Sequence, residues 1–400
     1  MASTERNDAA ALAPTVGIIG AGQLARMLAE SASELGIRTV VLAERPDDAA
    51  VETCGEVIIG SPRDLSALRA LAARCDVVTL DHELVDLAAL AGLEAQGRSV
   101  RPGPMALAVA VDKAEQRTRF AQAGIPVPRF VVLDGELDAD LAALERFADD
   151  LGATPVVKAA RGGYDGRGVV VSSSFSEAAD AARAWRAQGT RVVAEAPVAF
   201  RRELAALVAR RPGGEHVAWR TVETAQVDGM CREVRVPGGV DDETSRAAAR
   251  LALEVANGVG VVGVLAVELF DTPEGLVVNE VAMRPHNSGH WTIEGSVTSQ
   301  FENHLRAVCD LPLGATSMLA AAVATVNVLG APEPPSGDPL AVALGVDGAK
   351  VHLYGKSPRP GRKLGHVTVT GSEPGDVGER AWRAARALGT PRPNSEEERP

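Results

Sequence analysis

Apolar and polar positions alternate along the first hundred residues in a pattern that predicts strands separated by helices. Short apolar runs rich in valine and isoleucine indicate strands, whereas apolar residues that recur every three or four positions indicate amphipathic helices. The patterns predict strands at 16–19, 39–42, 57–59 and 77–80 and helices at 23–35 and 65–73. Alternating strands and helices with short connections favour an open parallel sheet covered by helices.

The rest of the chain mixes strands and helices and then becomes rich in strands. The pattern predicts a helix at 113–123 and strands at 130–133, 264–270, 276–281, 321–329, 350–354 and 366–370. A turn at 271–275 joins two of these strands into a hairpin. The polar chain ends, residues 1–14 and 391–400, are expected to be disordered.

Composition excludes several classes of partner. The chain has 400 residues, a formal net charge of −12 and only 3% aromatic residues, which argues against nucleic acid or an anionic membrane surface. No apolar run reaches the roughly 20 residues that span a bilayer, and the start lacks a secretory signal, so we expect a cytoplasmic protein. The four cysteines form no Cys-x-x-Cys pair, so neither a disulfide framework nor a zinc site is indicated.

Lysine is rare in this chain, which makes each lysine informative. Only five of the 41 basic residues are lysines. A lysine kept among so many arginines is a candidate for work that a planar guanidinium cannot do, such as acting as a point charge on phosphate. Lys113 opens a helix after Asp112, and Lys158 ends a strand. Lys356 and Lys363 lie on either side of a loop with two prolines. The alternative explanation is that base-composition bias left these five lysines at random positions.

A glycine-rich stretch, Arg161-Gly162-Gly163-Tyr164-Asp165-Gly166-Arg167-Gly168, follows Lys158. Glycines at this density allow a turn to fold over the phosphates of a nucleotide and to donate backbone N–H groups to them. The stretch lacks the Gly-Lys-Ser/Thr ending of a P-loop. The alternative interpretation is a flexible hairpin that binds no ligand.

A second glycine motif, Gly20-Ala21-Gly22-Gln23-Leu24-Ala25, lies between the first strand and the first helix. With Glu44 near the end of the second strand, it matches the pattern of a dinucleotide site, so an NAD(P)-linked oxidoreductase is one candidate function. A tight turn that binds no dinucleotide explains the motif equally well.

The predicted hairpin carries two glutamates in apolar surroundings. Glu268 and Glu280 lie on its two strands, and Asn279 precedes Glu280. Because side chains alternate along a strand, pairing across the turn places both glutamates on one face. A buried carboxylate needs a partner, and two carboxylates with an amide oxygen suit Mg²⁺ that bridges nucleotide phosphates. A solvated face is the alternative for such a pair.

A polar segment, Arg284-Pro285-His286-Asn287-Ser288-Gly289-His290-Trp291-Thr292, follows the hairpin. Arg284 offers a bidentate fork for bicarbonate or phosphate, and His286 and Asn287 offer further donors. The segment therefore indicates a pocket for a substrate anion.

Together these motifs resemble the ATP-grasp enzymes, and most closely the 5-(carboxyamino)imidazole ribonucleotide synthase family. The resemblance runs from about residue 16 to residue 370, and its most specific pieces are 161–168, 264–270, 279–301 and 351–366. It implies an α/β protein with an ATP-grasp fold. The implied domains are a Rossmann-like pre-ATP-grasp domain at 15–110, an ATP-grasp domain at 111–308 with a mobile lid at about 130–195, and a small β-rich domain at 309–390.

The resemblance implies ATP-dependent carboxylation of 5-aminoimidazole ribonucleotide with bicarbonate through carboxyphosphate, in de novo purine biosynthesis. The implied cofactors are ATP and Mg²⁺, or Mn²⁺ in its place, and the implied assembly is a homodimer. The family uses no NAD, which favours the tight-turn interpretation of the motif at Gly20. The alternatives are another ATP-grasp ligase, such as formate-dependent glycinamide ribonucleotide transformylase, and a non-catalytic nucleotide-binding regulator.

The resemblance also implies roles for single residues. Those implied to bind ATP are Lys113, Lys158, Gly163, Tyr164, Asp165, Gly166, Arg167, Gly168, Glu195, Ala196, Pro197, Val198, Glu203, Gln226, Asn279 and Glu280. Those implied to bind the metal ion are Glu268 and Glu280. Those implied to bind the ribonucleotide are Gln23, Tyr164, Arg167 and Arg362, and those implied to act in catalysis are Asp165, Lys356, Arg284, His286 and Asn287.

Two segments depart from the family pattern. The family often has Phe-Glu-Phe-Glu-Asn where this chain has Leu80-Asp81-His82-Glu83-Leu84, and Asn and His where it has Thr224 and Gln226. Gln226 can donate a hydrogen bond but cannot carry the charge of a histidine.

Overall fold

The computed structural model describes residues 13–163, 168–227, 229–333 and 335–393. Most of the two chain ends for which we expect disorder lies outside these residues. The central part of the glycine-rich stretch, Tyr164, Asp165, Gly166 and Arg167, also lies outside them.

The N-terminal unit is a five-stranded parallel sheet. Its strands are β1 (Thr15–Ile19), β2 (Arg38–Ala43), β3 (Glu56–Ile59), β4 (Val77–Leu80) and β5 (Ser99–Val100), and its helices are α1 (Gln23–Glu34), α2 (Leu65–Ala72), α3 (Leu87–Ala95) and α4 (Pro104–Val111). The strand order is β3-β2-β1-β4-β5, and all neighbours run parallel. The predicted parallel sheet is confirmed, because valine- and isoleucine-rich strands buried on both faces suit this arrangement.

A short helix leads into a second, antiparallel sheet. The helix α5 (Lys113–Gln122) begins at Asp112, whose carboxylate accepts hydrogen bonds from the N–H groups of Ala114 and Glu115, at 3.1 Å each. The elements that follow are β6 (Phe130–Leu133), α6 (Leu137–Leu151), β7 (Val156–Ala159), β8 (Val169–Val171), α7 (Phe175–Ala187) and β9 (Val192–Glu195). The strand order is β6-β9-β7-β8, and the two helices pack on this sheet around Leu133 and Leu144.

The remaining strands form one large antiparallel sheet. They are β10 (Arg202–Arg210), β11 (His216–Ala218), β12 (Val222–Val227), β13 (Met230–Val236), β14 (Gly263–Thr272), β15 (Gly275–Ala282), β16 (Ala322–Leu329), β17 (Ala349–Leu353) and β18 (Lys363–Gly371). Their order is β15-β14-β10-β12-β13-β16-β18-β17, with β11 paired to β10. Since β16, β17 and β18 continue this sheet, a domain limit at residue 309 stays a prediction.

Helices cover the large sheet. They are α8 (Asp242–Val259), α9 (Thr292–Gly295), α10 (Gln300–Val308), α11 (Pro339–Leu344) and α12 (Pro374–Ala387). Trp382 of α12 is fully buried among valines of β16 and β18, which fixes the end of the chain on the sheet. Among the residues described, none of these or the other helices is long and apolar enough to cross a membrane.

A buried histidine joins the parallel sheet to the large sheet. Nδ1 of His304 accepts a hydrogen bond from the N–H of Val264 at 3.1 Å, and Nε2 donates to Oγ1 of Thr79 at 2.8 Å. Burial lowers the pKa of His304 to about 3, so the ring is neutral, as this pair of contacts requires. The contact fixes β4 against β14 and α10.

Candidate active site

Two lysines meet acidic and amide side chains where the β14–β15 hairpin faces the four-stranded sheet. Nζ of Lys113 lies 2.5 Å from Oε1 of Glu280. Nζ of Lys158 lies 2.7 Å from Oε2 of Glu195 and donates to Oδ1 of Asn279 at 3.4 Å. Predicted nucleotide-binding residues from α5, β7, β9 and β15 are therefore neighbours in space.

The hairpin pairs the two glutamates directly. Glu268 lies opposite Glu280 in antiparallel register, so the predicted shared face is confirmed. Asn279 is the extra residue of a bulge beside this pair, which allows both Asn279 and Glu280 to reach the lysines instead of pointing to opposite faces. This bulge is the local feature that gathers three oxygen-bearing side chains.

The two glutamates differ in their ionisation. Burial, together with the charges of Glu280 and Glu203, raises the pKa of Glu268 to about 8. Burial also opposes ionisation of Glu280, but the Lys113 ammonium, together with the charges of Lys158 and Arg117, outweighs it, and the pKa of Glu280 is lowered. Glu280 is thus the charged member of the pair near neutral pH, and an added cation would favour ionisation of Glu268 as well.

The carboxylate pair fits a divalent cation that is shared with a ligand. In the described part of the chain, no three His, Cys, Asp or Glu side chains form a metal site by themselves. Mg²⁺ is commonly held by one or two carboxylates and completed by phosphates of the substrate. A cation between Glu268 and Glu280 would offset the repulsion that raises the pKa of Glu268. The donor set therefore suits Mg²⁺ bound with a nucleotide.

The glycine-rich stretch starts at an arginine that is anchored to the first turn of α5. Nε of Arg161 lies 2.6 Å from Oδ2 of Asp112, and Nη2 of Arg191 lies 2.7 Å from the same oxygen. Gly162 and Gly168 have positive φ angles of 82° and 75°, which side-chain-bearing residues rarely adopt. Asp112 thus ties the base of this stretch to the first turn of α5, where Lys113 lies.

The segment predicted to read adenine follows β9. Residues 196–198 have no regular structure, and the N–H of Ala196 donates to the carbonyl of Arg129 at 2.8 Å. Glu203 lies on β10 opposite Thr224 of β12, and Gln226 lies two residues further along β12. Burial raises the pKa of Glu203 to about 7.

The predicted anion-binding segment is held on two sides. Nε of Arg284 donates to Oε2 of Glu83 at 2.7 Å, and Glu83 is the position of residues 80–84 at which this chain keeps the glutamate of the family pattern. Gln300 accepts from the N–H of His286 at 2.8 Å and donates to its carbonyl at 2.7 Å. Nε2 of His286 lies 3.5 Å from Oε1 of Glu268, and Asn287 opens a short 3₁₀ turn.

His286 is neutral. Burial, with the nearby charges of Arg284 and Lys363, lowers its pKa to about 3. Its Nδ1 lies 2.8 Å from Oγ of Ser288. The predicted residue His286 therefore lies beside Glu268 as a neutral ring, and Arg284 is held two residues away by Glu83.

A third group of predicted residues lies between α1 and the loop after β17. Nζ of Lys356 donates to Oε1 of Gln23, and it lies 5.7 Å from the centre of the Tyr354 ring. Nη1 of Arg362 donates to the carbonyl of Ser357 at 3.0 Å. Residues separated by more than three hundred positions thus form one polar cluster.

The first glycine motif has no free anion site at its helix. The N–H groups of Gly22 and Ala25 donate to the carboxylate of Asp81, at 2.6 and 3.0 Å. A Cβ at Gly22 would collide with the same carboxylate, which explains the glycine without a ligand. The pyrophosphate of a dinucleotide would need these N–H groups, so the arrangement favours the tight-turn interpretation.

We therefore expect no saturable binding of NADH or NADPH. Asp81 occupies the helix N-terminus with a negative charge, which would repel a pyrophosphate. Calorimetry with each reduced cofactor checks this, with ATP and Mg²⁺ on the same sample as the positive control. Tight saturable binding of either cofactor would contradict the expectation.

Comparisons with known proteins find the same organisation. The chain matches the ribonucleotide synthetase preATP-grasp domain at 13–111, the ATP-grasp domain at 118–301 and the phosphoribosylaminoimidazole carboxylase C-terminal domain at 323–380. It is 48% identical over 390 residues to N5-carboxyaminoimidazole ribonucleotide synthase of Mycobacterium tuberculosis, covering 94% of this chain and 88% of that protein. The chain belongs to the N5-carboxyaminoimidazole ribonucleotide synthase family. This confirms the predicted family and the ATP-grasp fold.

Solved structures of this family agree with the fold. The Thermus thermophilus N5-carboxyaminoimidazole ribonucleotide synthetase is 36% identical with a TM-score of 0.84, covering 94% of this chain and 99% of that one. The Aspergillus clavatus synthase, solved in complex with ADP and 5-aminoimidazole ribonucleotide, is 32% identical with a TM-score of 0.83, covering 94% and 98%. The oxidoreductase interpretation is therefore set aside.

Three residues at the site were missed by sequence reasoning. Arg117 is buried beside Glu195, Glu83 holds Arg284, and Asp112 holds Arg161. The spacing of Arg117, one helical turn after Lys113, was the one available signal, since residues four apart share a helix face. Nothing in the sequence pairs Glu83 with Arg284.

Proposed function

We propose that the chain carboxylates 5-aminoimidazole ribonucleotide with bicarbonate and ATP, giving 5-(carboxyamino)imidazole ribonucleotide, ADP and phosphate in de novo purine biosynthesis. The observation that carries the proposal is the meeting of Lys113 and Lys158 with Asn279 and Glu280 at the bulge. Two cations beside a carboxylate pair suit the triphosphate of ATP and its Mg²⁺. The names and ligands of the relatives support the choice of substrate.

Lys113 and Lys158 are proposed to contact the phosphates of ATP, with the glycine-rich stretch from Gly163 to Gly168 binding the same phosphates. Glu268 and Glu280 are proposed to hold Mg²⁺, or Mn²⁺ in its place, with Asn279 beside the nucleotide. When bound, such an ion neutralises charge on the phosphoryl group that is transferred. Residues 195–198, with Glu203 and Gln226, are proposed to hold adenosine.

Bicarbonate is proposed to bind at Arg284, His286 and Asn287. One oxygen of bicarbonate attacks the γ-phosphorus and the bond to ADP breaks, which gives carboxyphosphate. Arg284 is fixed by Glu83 and can orient the anion, while the neutral ring of His286 can accept or donate one hydrogen bond. Breakdown of carboxyphosphate gives phosphate and CO₂ within a closed site, where water is excluded.

The ribonucleotide is proposed to bind between α1 and the loop after β17. Gln23, Lys356 and Arg362 come from this cluster, and Tyr164, Arg167 and Asp165 belong to the glycine-rich stretch. The exocyclic amine of the substrate attacks CO₂, and Asp165 is proposed to accept the proton it loses. We also propose that the chain forms a homodimer in the cytoplasm and has the domain limits given above.

Release of ADP tests the proposed reaction. We expect ADP release coupled one-to-one to carboxylated product to require both bicarbonate, which forms carboxyphosphate, and 5-aminoimidazole ribonucleotide, which accepts its CO₂. Glycinamide ribonucleotide with formate, the substrates of the alternative ligase, is the control. ADP release that follows the control substrates instead would favour the transformylase reaction.

We expect the use of the ribonucleotide to fall above about pH 8. Burial lowers the pKa of Lys356 to about 8, with Arg362 and Lys363 acting in the same direction and Asp81 opposing them. The ammonium is therefore present below this pH and lost above it, and an anionic substrate needs the charge. The profile of kcat/KM for the ribonucleotide checks this, because it reports groups of the free enzyme.

Lys356→Arg serves as the comparison for that profile. A guanidinium stays charged throughout this range, so the fall should move to higher pH even if the rate is lower. An unchanged descending limb in Lys356→Arg would assign the ionisation to another group.

A further inference from the structure

One arginine lies fully buried beneath the proposed nucleotide site. Arg117 is on α5, one turn after Lys113, and none of its surface is exposed. A side chain without exposed surface cannot touch ATP, so it acts on the site through its neighbours. A buried guanidinium is costly unless its donors are paired, which makes its contacts informative.

Each nitrogen of the Arg117 guanidinium has a partner. Nε donates to Oε1 of Glu195 at 2.7 Å, and Nη2 donates to the carbonyl oxygen of Asn279 at 2.6 Å. Nη1 donates to Oε1 of Gln116 at 2.7 Å. One side chain thus connects the end of β9 in the four-stranded sheet with the bulge of β15 in the large sheet.

Glu195 is shared between two cations. Its other carboxylate oxygen, Oε2, lies 2.7 Å from Nζ of Lys158, and the carboxylate is itself buried. Burial opposes ionisation of Glu195, but Arg117 and Lys158 together outweigh it, and the pKa of Glu195 is lowered. If Lys158 were its sole partner, moving that lysine to a phosphate would leave a buried carboxylate without a counter-charge.

We propose that Arg117 is a positioning residue that stays on Glu195 and thereby allows Lys158 to turn from that carboxylate to the phosphates of ATP. This inference rests on the proposed function, in which Lys158 contacts ATP. Arg117 also donates to the backbone carbonyl of Asn279, so the bulge of β15 keeps its position when Lys158 moves. Without Arg117, Glu195 and ATP would compete for a single lysine.

The test is the ATP dissociation constant of the full-length protein with Mg²⁺, measured by calorimetry. Arg117→Met should raise it by about tenfold or more, the effect of losing one charge-assisted contact. Adding Glu195→Gln to Arg117→Met removes the competitor, so affinity should return to within about threefold of Glu195→Gln alone. Arg119→Met is the matched control, since Arg119 lies on the same helix in an exposed pair with Glu115.

Further outcomes separate this role from a structural one. If the role of Arg117 were only structural, Arg117→Met would lower the melting temperature without changing the ATP dissociation constant, or the double variant would bind ATP no better than Arg117→Met. Either result overturns the inference. If Arg117→Met does not fold, Arg117→Lys is measured instead: its ammonium can still neutralise Glu195, so the ATP dissociation constant should stay within about threefold of the wild type, and a rise of about tenfold or more overturns the inference. Failure of the wild type to bind ATP would instead count against the proposed function.

Discussion

Replacing Glu280 with glutamine is expected to lower ATP turnover by about two to three orders of magnitude while the fold stays intact. Glu280 faces Glu268 across the hairpin and pairs with Lys113, so the change removes the charged member of the carboxylate pair. Glutamine has nearly the same size and still accepts a hydrogen bond, so packing is kept. The measurement is ADP release at saturating ATP over a range of Mg²⁺ concentrations.

Glu274→Gln is the matched control for this variant. Glu274 lies exposed in the turn of the same hairpin, and its loss should leave turnover unchanged. Near-normal turnover of Glu280→Gln at ordinary Mg²⁺ would contradict the proposed role of Glu280 in holding the metal ion.

Replacing Lys356 with methionine is expected to lower kcat/KM for the ribonucleotide by about two orders of magnitude, with little change in ATP affinity. Lys356 contacts Gln23 of the N-terminal unit and lies far along the chain from Lys113 and Lys158, the lysines proposed to contact ATP. It therefore joins two distant parts of the chain, and small-molecule sites commonly form where such parts meet. Steady-state kinetics with each substrate varied, together with ATP calorimetry, checks this.

Lys350→Met is the control, because Lys350 is an exposed lysine of the same C-terminal region.

Asp165→Asn is the companion variant: it keeps a side chain that can stabilise a turn beside glycine but removes the charge. A large loss of carboxylated product with unchanged ATP affinity is expected for it. Weaker ATP binding with normal turnover at saturating ATP, in either variant, would move that residue to the nucleotide site.

Local patterns predicted the elements and the shared face of the glutamates. The alternation of side chains along a strand is enough to place Glu268 opposite Glu280, because the hairpin turn fixes the pairing. The bulge at Asn279 could not be predicted, since one extra residue in a strand leaves no signal in apolar spacing. It was nevertheless the bulge that allowed Asn279 and Glu280 to reach two lysines.

Contacts between distant parts of the chain account for what sequence reasoning missed. Arg117 and Glu195 are 78 positions apart, and Glu83 and Arg284 are 201 positions apart. Such pairs depend on how the sheets pack against each other, which residue types and periodicity do not determine. The family resemblance predicted the candidate site residues one by one. The structure shows which side chains from other parts of the chain hold them in place.

Transfer of oxygen from bicarbonate to phosphate tests the central claim most directly. If bicarbonate attacks the γ-phosphorus of ATP, the released phosphate carries one oxygen that came from bicarbonate. With heavy-oxygen-labelled bicarbonate, ATP and 5-aminoimidazole ribonucleotide, we expect mass spectrometry to find one labelled oxygen in each phosphate and the carboxylated ribonucleotide in equal amount to ADP. Unlabelled phosphate, or ADP formed without carboxylated product, would contradict the account.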